Sequence, residues 1–196
     1  MKKVIAVLLC CWSMVVFASD KVLYNENTTI LYDNIKILYW IDGDTCKILH
    51  PETNENISVR LAGIDTYEKK RNNRAYKQVK QTGLPLETII KLGKESKAYV
   101  KHLLPSDSYV KIEFVSRDGE LKKDRYERLL GYMYYKDDLL NSKIVREGYA
   151  GLLTWHPDTH YLYILRSSLT FAKKYKKGHF KMYKDIYKEV EYGRAK

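Results

Sequence analysis

Cysteine is scarce in this sequence, with three residues among 196. Cys10 and Cys11 lie in an N-terminal apolar stretch, so Cys46 is the only cysteine in the rest of the chain. Once that stretch is removed no internal disulfide can form, and a disulfide-stabilised scaffold is excluded. The fold must be stabilised by a hydrophobic core, in which Cys46 fits a half-buried strand position better than a reactive thiol.

Proline and glycine are also few, with 4 and 10 residues, and there is no internal repeat. Hydrophobic residues make up 45% of the chain and charged residues 30%, the balance of an ordinary globular protein. These values exclude collagen-like and disordered proteins. A chain of this length without a low-complexity linker indicates one domain with tails.

Long hydrophobic runs are absent too, because no apolar stretch reaches the roughly 20 residues that span a bilayer. The N-terminal stretch covers residues 4–17, follows two lysines, and ends at the small residues Ala18 and Ser19. This order is typical of a signal peptide and predicts cleavage after Ala18, with loss of residues 1–18. We therefore expect an exported protein, located in the periplasm, the cell envelope or the medium.

Two other interpretations of this stretch are weaker. An uncleaved membrane anchor would need a longer apolar run. A lipoprotein attachment site at Cys10 would need small residues before it, but Leu8 and Leu9 precede it. Cleavage therefore remains the prediction.

Acidic residues are in deficit. The 24 Asp and Glu residues are outnumbered by 35 Lys and Arg residues, which gives a net charge of +11. Most of this excess belongs to the folded part, since residues 1–18 contain only two lysines. Such a basic chain favours a polyanionic partner or an anionic surface, and charge alone does not choose between them.

The pattern of apolar residues predicts both strands and helices. Alternating, β-branched and aromatic segments predict five strands, at residues 35–41, 45–50, 57–64, 110–114 and 129–135. Helical spacing predicts three helices, at residues 87–104, 139–147 and 161–172. The basic stretch 69–85 has no hydrophobic periodicity and is predicted to be a long loop.

Five strands with a helix between the third and the fourth match the OB-fold, an α+β architecture that commonly binds oligonucleotides. We expect a five-stranded Greek-key β-barrel with about three helices over residues 35–180. The polar residues 19–34 are expected to form an extended N-terminal arm. Residues 181–196 form a basic tail rich in tyrosine and lysine.

Two acidic clusters lie at the ends of predicted strands. Asp42 and Asp44 follow the first strand, and Asp65 and Glu68 follow the third. Because these strands form one meander, Asp44 and Asp65 are expected to meet at one end of the barrel. Apposed carboxylates repel each other unless a cation joins them, and hard oxygen ligands of this kind suit Ca²⁺.

Two arginines could hold a phosphate beside such a metal. Arg60 lies on the strand that leads into the second acidic cluster, and Arg128 opens the fifth strand. A guanidinium offers a planar fork to a phosphate, although each arginine alone is better explained by a surface ion pair or by a strand-flanking position. Glu68 is left as the carboxylate that could orient or deprotonate water.

Five motifs make the chain resemble the thermonuclease family, the staphylococcal-nuclease-like OB-fold nucleases. They occur in family order between about residues 35 and 180: IDGDT at 41–45, VRLAGIDTYE at 59–68, GKESKA at 93–98, DRYER at 124–128 and VREGYA at 145–150. No single motif would suffice, but the ordered set is specific.

The resemblance implies roles for two sets of residues. The metal set binds Ca²⁺ through two side chains and one carbonyl oxygen and comprises Asp44, Asp65 and Thr66. The catalytic set comprises Arg60, Glu68 and Arg128. The resemblance further implies that DNA and RNA are the substrates and that hydrolysis of their phosphodiesters leaves 3′-phosphate ends. No stable protein partner is implied, and a monomer is expected; Asp42 is expected to support the site from outside the metal set.

Two residues, one segment and one loop depart from the family pattern. Tyr67 replaces the proline usual between Thr66 and Glu68, and Glu127 replaces the glycine usual before Arg128. Residues 152–155 lack an evident base-stacking tyrosine, a role that Trp155 could take. The loop 69–85 is also longer than usual, and none of these departures removes a proposed catalytic side chain.

Two alternatives to a nuclease remain at this point. The chain could be a noncatalytic nucleic-acid-binding OB module, or a surface-retained protein that captures DNA without cutting it. The complete set of acidic residues and arginines favours the nuclease, with little base preference because phosphate charge and stacking would dominate binding.

Overall fold

A computed structural model describes residues 22–24, 29–117, 119–154, 161–187 and 190–191. The predicted signal peptide and Trp155 lie outside these residues. No helix within the described ranges is long and apolar enough to cross a membrane.

Five strands close into a barrel: β2 (Thr29–Trp40), β3 (Thr45–Leu49), β4 (Asn56–Leu61), β6 (Tyr109–Arg117) and β8 (Leu129–Tyr135). Their order is β2-β3-β4-β8-β6, and β6 pairs with β2 to complete the circle. The β4–β8 pairing is parallel and the others are antiparallel. This arrangement confirms the predicted α+β OB-fold.

Shorter strands extend the barrel or form a second small sheet. β1 (Val22–Tyr24) pairs with β2, β7 (Glu120–Leu121) with β6, and β9 (Asp138–Leu139) with β8. The second sheet contains β5 (Ile64–Asp65), β10 (Gly151–Thr154) and β11 (Val190–Glu191).

The described residues contain four α-helices, against about three expected: α1 (Asn73–Thr82), α2 (Leu86–Leu103), α3 (Leu140–Arg146) and α4 (Leu162–Lys174). A 3₁₀ turn follows at Gly178–Lys181. The last three α-helices lie where helical spacing predicts them. Buried residues of these helices and of the barrel strands form the main hydrophobic core, and a smaller buried cluster contains Ala62, Val115, Leu130 and Tyr132.

Helix α1 corrects the prediction of a loop at residues 69–85. The side chain of Asn72 caps its start by accepting a hydrogen bond from Ala75 N at 2.8 Å. Gly83 ends it in the left-handed conformation, with φ of 73°, and donates its N–H to Val79 O. The helix buries only Ala75 and Gln78, so it has too few apolar residues to show periodicity.

Both ends of the folded part also extend beyond the predicted core region. The first barrel strand begins at Thr29 rather than at residue 35, and Ile30 and Tyr32 are buried. A register shift after Tyr32 interrupts the alternation of buried and exposed side chains along this strand. For this reason residues 29–34 resemble an extended arm in the sequence. At the other end, Ile186 and Tyr187 are buried in the same core.

Cys46 lies on a strand, as predicted, but it is fully buried on β3 rather than half-buried. Burial raises the pKa of its thiol to about 12. A thiol in this position stays protonated at neutral pH and acts as a small apolar core residue.

Candidate active site

The turn between β2 and β3 places Asp44 in the interior. The backbone N–H groups of Ile41 and Asp42 both donate to Thr45 O, at 2.8 and 3.1 Å. The turn packs against α2, where a Cβ on Gly43 would lie 2.7 Å from the Cβ of Ser96. Glycine at residue 43 therefore lets the turn approach the helix closely.

Asp44 is only 4% exposed, and both of its carboxylate oxygens are hydrogen-bonded. Oδ1 accepts from the Thr45 hydroxyl at 2.9 Å, and Oδ2 accepts from Thr66 N at 3.1 Å. The second of these bonds ties the β2–β3 turn to the loop that follows β5. The two acidic clusters predicted to meet at one end of the barrel are therefore in contact.

Arg60 lies between the two acidic clusters. Its Nη1 is 3.1 Å from Asp44 Oδ2, and its Nη2 is 2.7 Å from Asp65 Oδ1. The Arg60 side chain is 3% exposed, so this is a buried ion pair and not a surface one. The predicted repulsion between the carboxylates is relieved by a guanidinium.

The charges of this cluster stabilise one another. Burial alone raises the pKa of Asp44, but Arg60, Arg74 and the Thr45 hydroxyl together hold it below its usual value. Burial lowers the pKa of Arg60, and the neighbouring Asp44 and Asp65 more than compensate and raise it. Asp44 and Arg60 are therefore both ionised at neutral pH.

The loop from Asp65 to Glu68 is held by hydrogen bonds on both sides of Tyr67. Gln78 Nε2 donates to Thr66 O at 3.2 Å, and Gln78 Oε1 accepts from Glu68 N at 3.0 Å. The Tyr67 hydroxyl donates to Ile186 O, and its ring stacks on Tyr187 with centroids 5.0 Å apart. The loop is thus fixed without the proline that Tyr67 replaces.

Glu68 is oriented by α1 and the residue before it. Asn72 Nδ2 donates to Glu68 Oε2 at 2.8 Å, and Arg74 Nε lies 3.3 Å from Glu68 Oε1. Arg74 also bonds to Asp65 through Nη2. A third arginine, not foreseen in the sequence, therefore links the predicted metal ligand Asp65 to the predicted base.

Arg128 is held against Asp124 in the turn before β8. Its Nε and Nη2 lie 2.8 and 2.5 Å from Asp124 Oδ2, and its Nη1 donates to Thr45 Oγ1 at 3.2 Å. Burial raises the pKa of Asp124, but the hydrogen bonds from Arg128 and from the Tyr126 backbone bring it below its usual value. Thr45 connects this pair to the Asp44 cluster.

Glu127 and Asp42 lie at the edge of the site. Glu127 has a φ of 58°, which lies in the left-handed region. The glycine usual in the family adopts this region without steric strain. Its exposed carboxylate pairs with Lys123 at 3.1 Å. Asp42 pairs with Lys69 at 2.9 Å, which places it outside the Asp44–Arg60–Asp65 cluster.

A solvent-open cleft of about 270 Å³ gives access to these groups. Arg60, Asp65 and Arg128 line it together with one face of α1 and the 124–126 turn. The structure thus brings five of the six predicted site residues into one connected cluster around Asp44, Arg60 and Asp65. The sixth, Glu68, joins it through Arg74.

The predicted metal set offers two carboxylates and one carbonyl oxygen, which are hard donors of the kind that Ca²⁺ takes. Among the described residues there is no group of three or more His, Cys, Asp or Glu side chains arranged to hold a metal. Water would complete the coordination of a cation here. The oxygen donors are of the type that suits Ca²⁺, and in this structure Arg60 and Gln78 bond to the same oxygens.

Comparisons with known proteins agree with this geometry. A thermonuclease of Staphylococcus hyicus is 28% identical over 143 residues, which cover 73% of each chain. A thermonuclease of Staphylococcus intermedius is 29% identical over 134 residues, or 68% of each chain. An uncharacterized protein of Methanocaldococcus jannaschii is 31% identical over 121 residues, 59% of this chain and 56% of its own. Residues 58–181 match the family described as Staphylococcal nuclease homologue, and the chain belongs to that family.

Proposed function

We propose that the protein is an exported, Ca²⁺-dependent nuclease that hydrolyses phosphodiester bonds in DNA and RNA and leaves 3′-phosphate ends. One observation carries this proposal: the buried guanidinium of Arg60 joins Asp44 and Asp65 at a cleft that is open to solvent. An acidic pair that would hold a cation, beside arginines that would hold a phosphate, suits the hydrolysis of a phosphodiester. The relatives named thermonuclease support the same class of reaction.

Ca²⁺ would be held by the side chains of Asp44 and Asp65 and the carbonyl of Thr66. When bound, the metal would neutralise charge on the phosphate oxygens and so favour attack at phosphorus. The Thr66 carbonyl is presented by the same loop that carries Glu68. Metal binding and proton transfer would therefore both depend on the position of that loop.

Glu68 is the residue proposed to position the attacking water and take its proton. Asn72 and Arg74 each engage one of its oxygens, which fixes the carboxylate plane while leaving lone pairs for a water. Water attacks phosphorus in line with the bond to the 5′ oxygen. That bond breaks, the 5′ oxygen takes up a proton from solvent, Glu68 returns its proton to solvent, and the phosphate stays on the 3′ side.

The two predicted catalytic arginines have different surroundings and different proposed roles. Arg60 is buried, and its fork faces the acidic pair, where it would bind a phosphate oxygen beside the metal. Arg128 lines the cleft from the opposite turn and would stabilise charge that develops on phosphorus in the transition state. Its bonds to Asp124 hold its guanidinium in place before substrate arrives.

The decisive experiment incubates the chain from Ser19 onward with DNA and with RNA, in Ca²⁺ or in chelator, and identifies the ends produced. We expect cleavage with Ca²⁺ only. Glu68→Gln and Arg128→Ala should lower kcat and kcat/KM together, and Arg60→Lys should not restore Arg60 function because an ammonium cannot make two parallel bonds. Near-normal cleavage by Glu68→Gln and Arg128→Ala would reject the mechanism.

Calcium binding is tested separately by calorimetric titration. Asp65→Asn should weaken Ca²⁺ binding, because it removes a charged ligand and keeps the shape of the side chain. Asp42→Asn serves as the matched control, since Asp42 pairs with Lys69 and lies outside the metal set. Equal affinities in the two variants would move the metal site elsewhere.

Export is proposed from the N-terminal sequence. Mass spectrometry of the exported protein should find an N-terminus near Ser19, and protein that retains residues 1–18 would contradict cleavage.

A noncatalytic nucleic-acid-binding module, or a surface protein that captures DNA, is the alternative function. Binding without cleavage under every metal condition would favour it.

A further inference from the structure

Helix α1 forms one wall of the cleft that holds the candidate catalytic residues. The cleft-lining residues of this helix are Asn73, Arg74, Lys77, Gln78 and Gln81. Their spacing places them on one face of the helix, because residues three to four apart are neighbours on a helix surface. The wall across the cleft is the turn that contains Asp124, Arg125 and Tyr126.

The charge of α1 is of one sign. The helix contains Arg74, Lys77 and Lys80 and no acidic residue. Arg74 is bound to Asp65 and Glu68, so its charge is already neutralised within the site. Lys77 is exposed, and among the described residues no ion pair or hydrogen bond engages its side chain. The cleft is thus lined by an ammonium group that lacks an anion.

We propose that α1 is a phosphate-binding wall of the substrate groove, in which Lys77 binds the backbone phosphate next to the one being cut. This inference rests on the proposed nuclease function, because it takes the scissile phosphate to lie between Arg60 and Arg128. A strand that continues from there along the cleft passes the exposed face of α1. Asn73 and Gln81 flank Lys77 on that face and add uncharged donors.

The proposed contact is independent of base sequence. A lysine ammonium is a compact point charge with three donors and binds a phosphate without reading the attached base. Lys77 should therefore contribute equally to DNA and RNA of any sequence. Its contribution should also fall as salt rises, since each neutralised phosphate releases counterions on binding.

Lys80 provides a matched control. It lies on the same helix, is exposed, and carries the same charge, but it does not line the cleft. Lys77→Ala and Lys80→Ala change the net charge by the same amount and keep the helix, because alanine is the best helix former. Any difference between the two variants therefore reports position and not overall charge.

The test measures binding of fluorescent single-stranded DNA and RNA to each variant in a Glu68→Gln background, at several salt concentrations. Lys77→Ala should weaken binding roughly three- to tenfold and reduce the slope of log affinity against log salt by about 0.7. Lys80→Ala should change affinity less than about twofold. In the background that retains Glu68, Lys77→Ala should raise KM and leave kcat unchanged.

Failure of the α1 wall and failure of the nuclease proposal give different results. Equal weakening by both variants, or none by Lys77→Ala, would overturn the α1 wall while leaving the nuclease proposal intact. Normal binding without cleavage by the unchanged protein would reject catalysis but support the wall if Lys77→Ala still weakened binding. Absence of binding by the unchanged protein would overturn both proposals.

Discussion

The side-chain amide of Gln78 hydrogen-bonds to the backbone on both sides of Tyr67. Its nitrogen donates to Thr66 O at 3.2 Å and its oxygen accepts from Glu68 N at 3.0 Å. The two peptide groups that it bonds carry a proposed metal ligand and a proposed base. Tyr67 replaces the family's proline, and the backbone on either side of it is thus held by a residue of α1.

Removing this amide should affect both stability and turnover. Gln78→Ala leaves two backbone groups without their partner, and we expect the free energy of unfolding to fall by roughly 1–3 kcal/mol. Movement of the loop should lower kcat by roughly 10- to 100-fold. Urea unfolding and initial rates measure the two effects, with Lys80→Ala as the control on the same helix. A loss of stability with unchanged kcat would show that Gln78 only supports the fold.

Glu127→Gly should stabilise the protein without changing its activity. Glycine relieves the left-handed conformation at residue 127, and after its greater freedom in the unfolded chain is subtracted we expect a gain of about 0.5–1 kcal/mol. The Glu127 carboxylate pairs with Lys123 at the surface, so its removal should not strengthen Arg128. Glu127→Ala removes the same charge and keeps the Cβ, and a gain in that variant would contradict the conformational explanation.

Asp44→Ala should destabilise the fold, although repulsion between apposed carboxylates would suggest the opposite. It leaves the buried Arg60 with one fewer partner and the Thr66 N–H without its acceptor. We expect a loss of about 3–5 kcal/mol in urea unfolding with chelator present. Asp42→Ala breaks only the half-buried pair with Lys69 and should cost about 1 kcal/mol or less. Similar small losses in both variants would show that Arg60 is not held by Asp44.

His179 should make the protein less stable in mild acid. Burial lowers its pKa from 6.5 to about 4, so between these values the unfolded chain binds a proton that the folded chain does not. The free energy of unfolding should therefore fall as pH falls, by about 2 kcal/mol from this group between pH 7 and pH 5.

The control for this pH dependence is His179→Gln, which removes the titration and should flatten the profile over that range. The ring contacts Tyr187 through Nδ1 at 2.7 Å and lies 3.3 Å from Glu95 through Nε2, against the Tyr149 ring. If Glu95 held the ring protonated, stability would instead rise as pH falls. NMR titration of His179 would show this directly.

Tyr67→Phe isolates a single hydrogen bond of the loop that carries Glu68. It keeps the ring that stacks on Tyr187 and removes the hydroxyl that donates to Ile186 O. We expect a loss of roughly 1–3 kcal/mol because the buried carbonyl is left unpaired. Thermal unfolding measures it, and Tyr126→Phe, which alters an exposed tyrosine, should have no effect of this size.

The barrel and three of its helices could be predicted because their apolar residues follow clear periods. Strand β8 begins and ends at the predicted residues, and α2 differs by one residue at each end. Helix α1 could not be found in this way, since it buries the polar Gln78 in place of an apolar residue. The capping side chain of Asn72 is its main local signal, and asparagine is equally common in turns.

The acidic pair of the site was predictable, but the way in which its charge is balanced was not. Asp44 and Asp65 end strands of one meander, so their meeting follows from local order. Arg74 approaches them from α1, and its position depends on a helix that the apolar pattern does not reveal. The C-terminal contacts of Tyr67 are likewise tertiary, and no spacing rule links residues so far apart in sequence.

The bond from Tyr67 to Ile186 joins residues that are 119 positions apart. During synthesis the loop that carries Glu68 therefore leaves the ribosome long before the segment that anchors it. A nascent chain that contains the acidic residues and the arginines still lacks this anchor, together with the ring of Tyr187 that packs on Gly151. The loop that carries the proposed base is therefore fully anchored only after the C-terminal segment has been made.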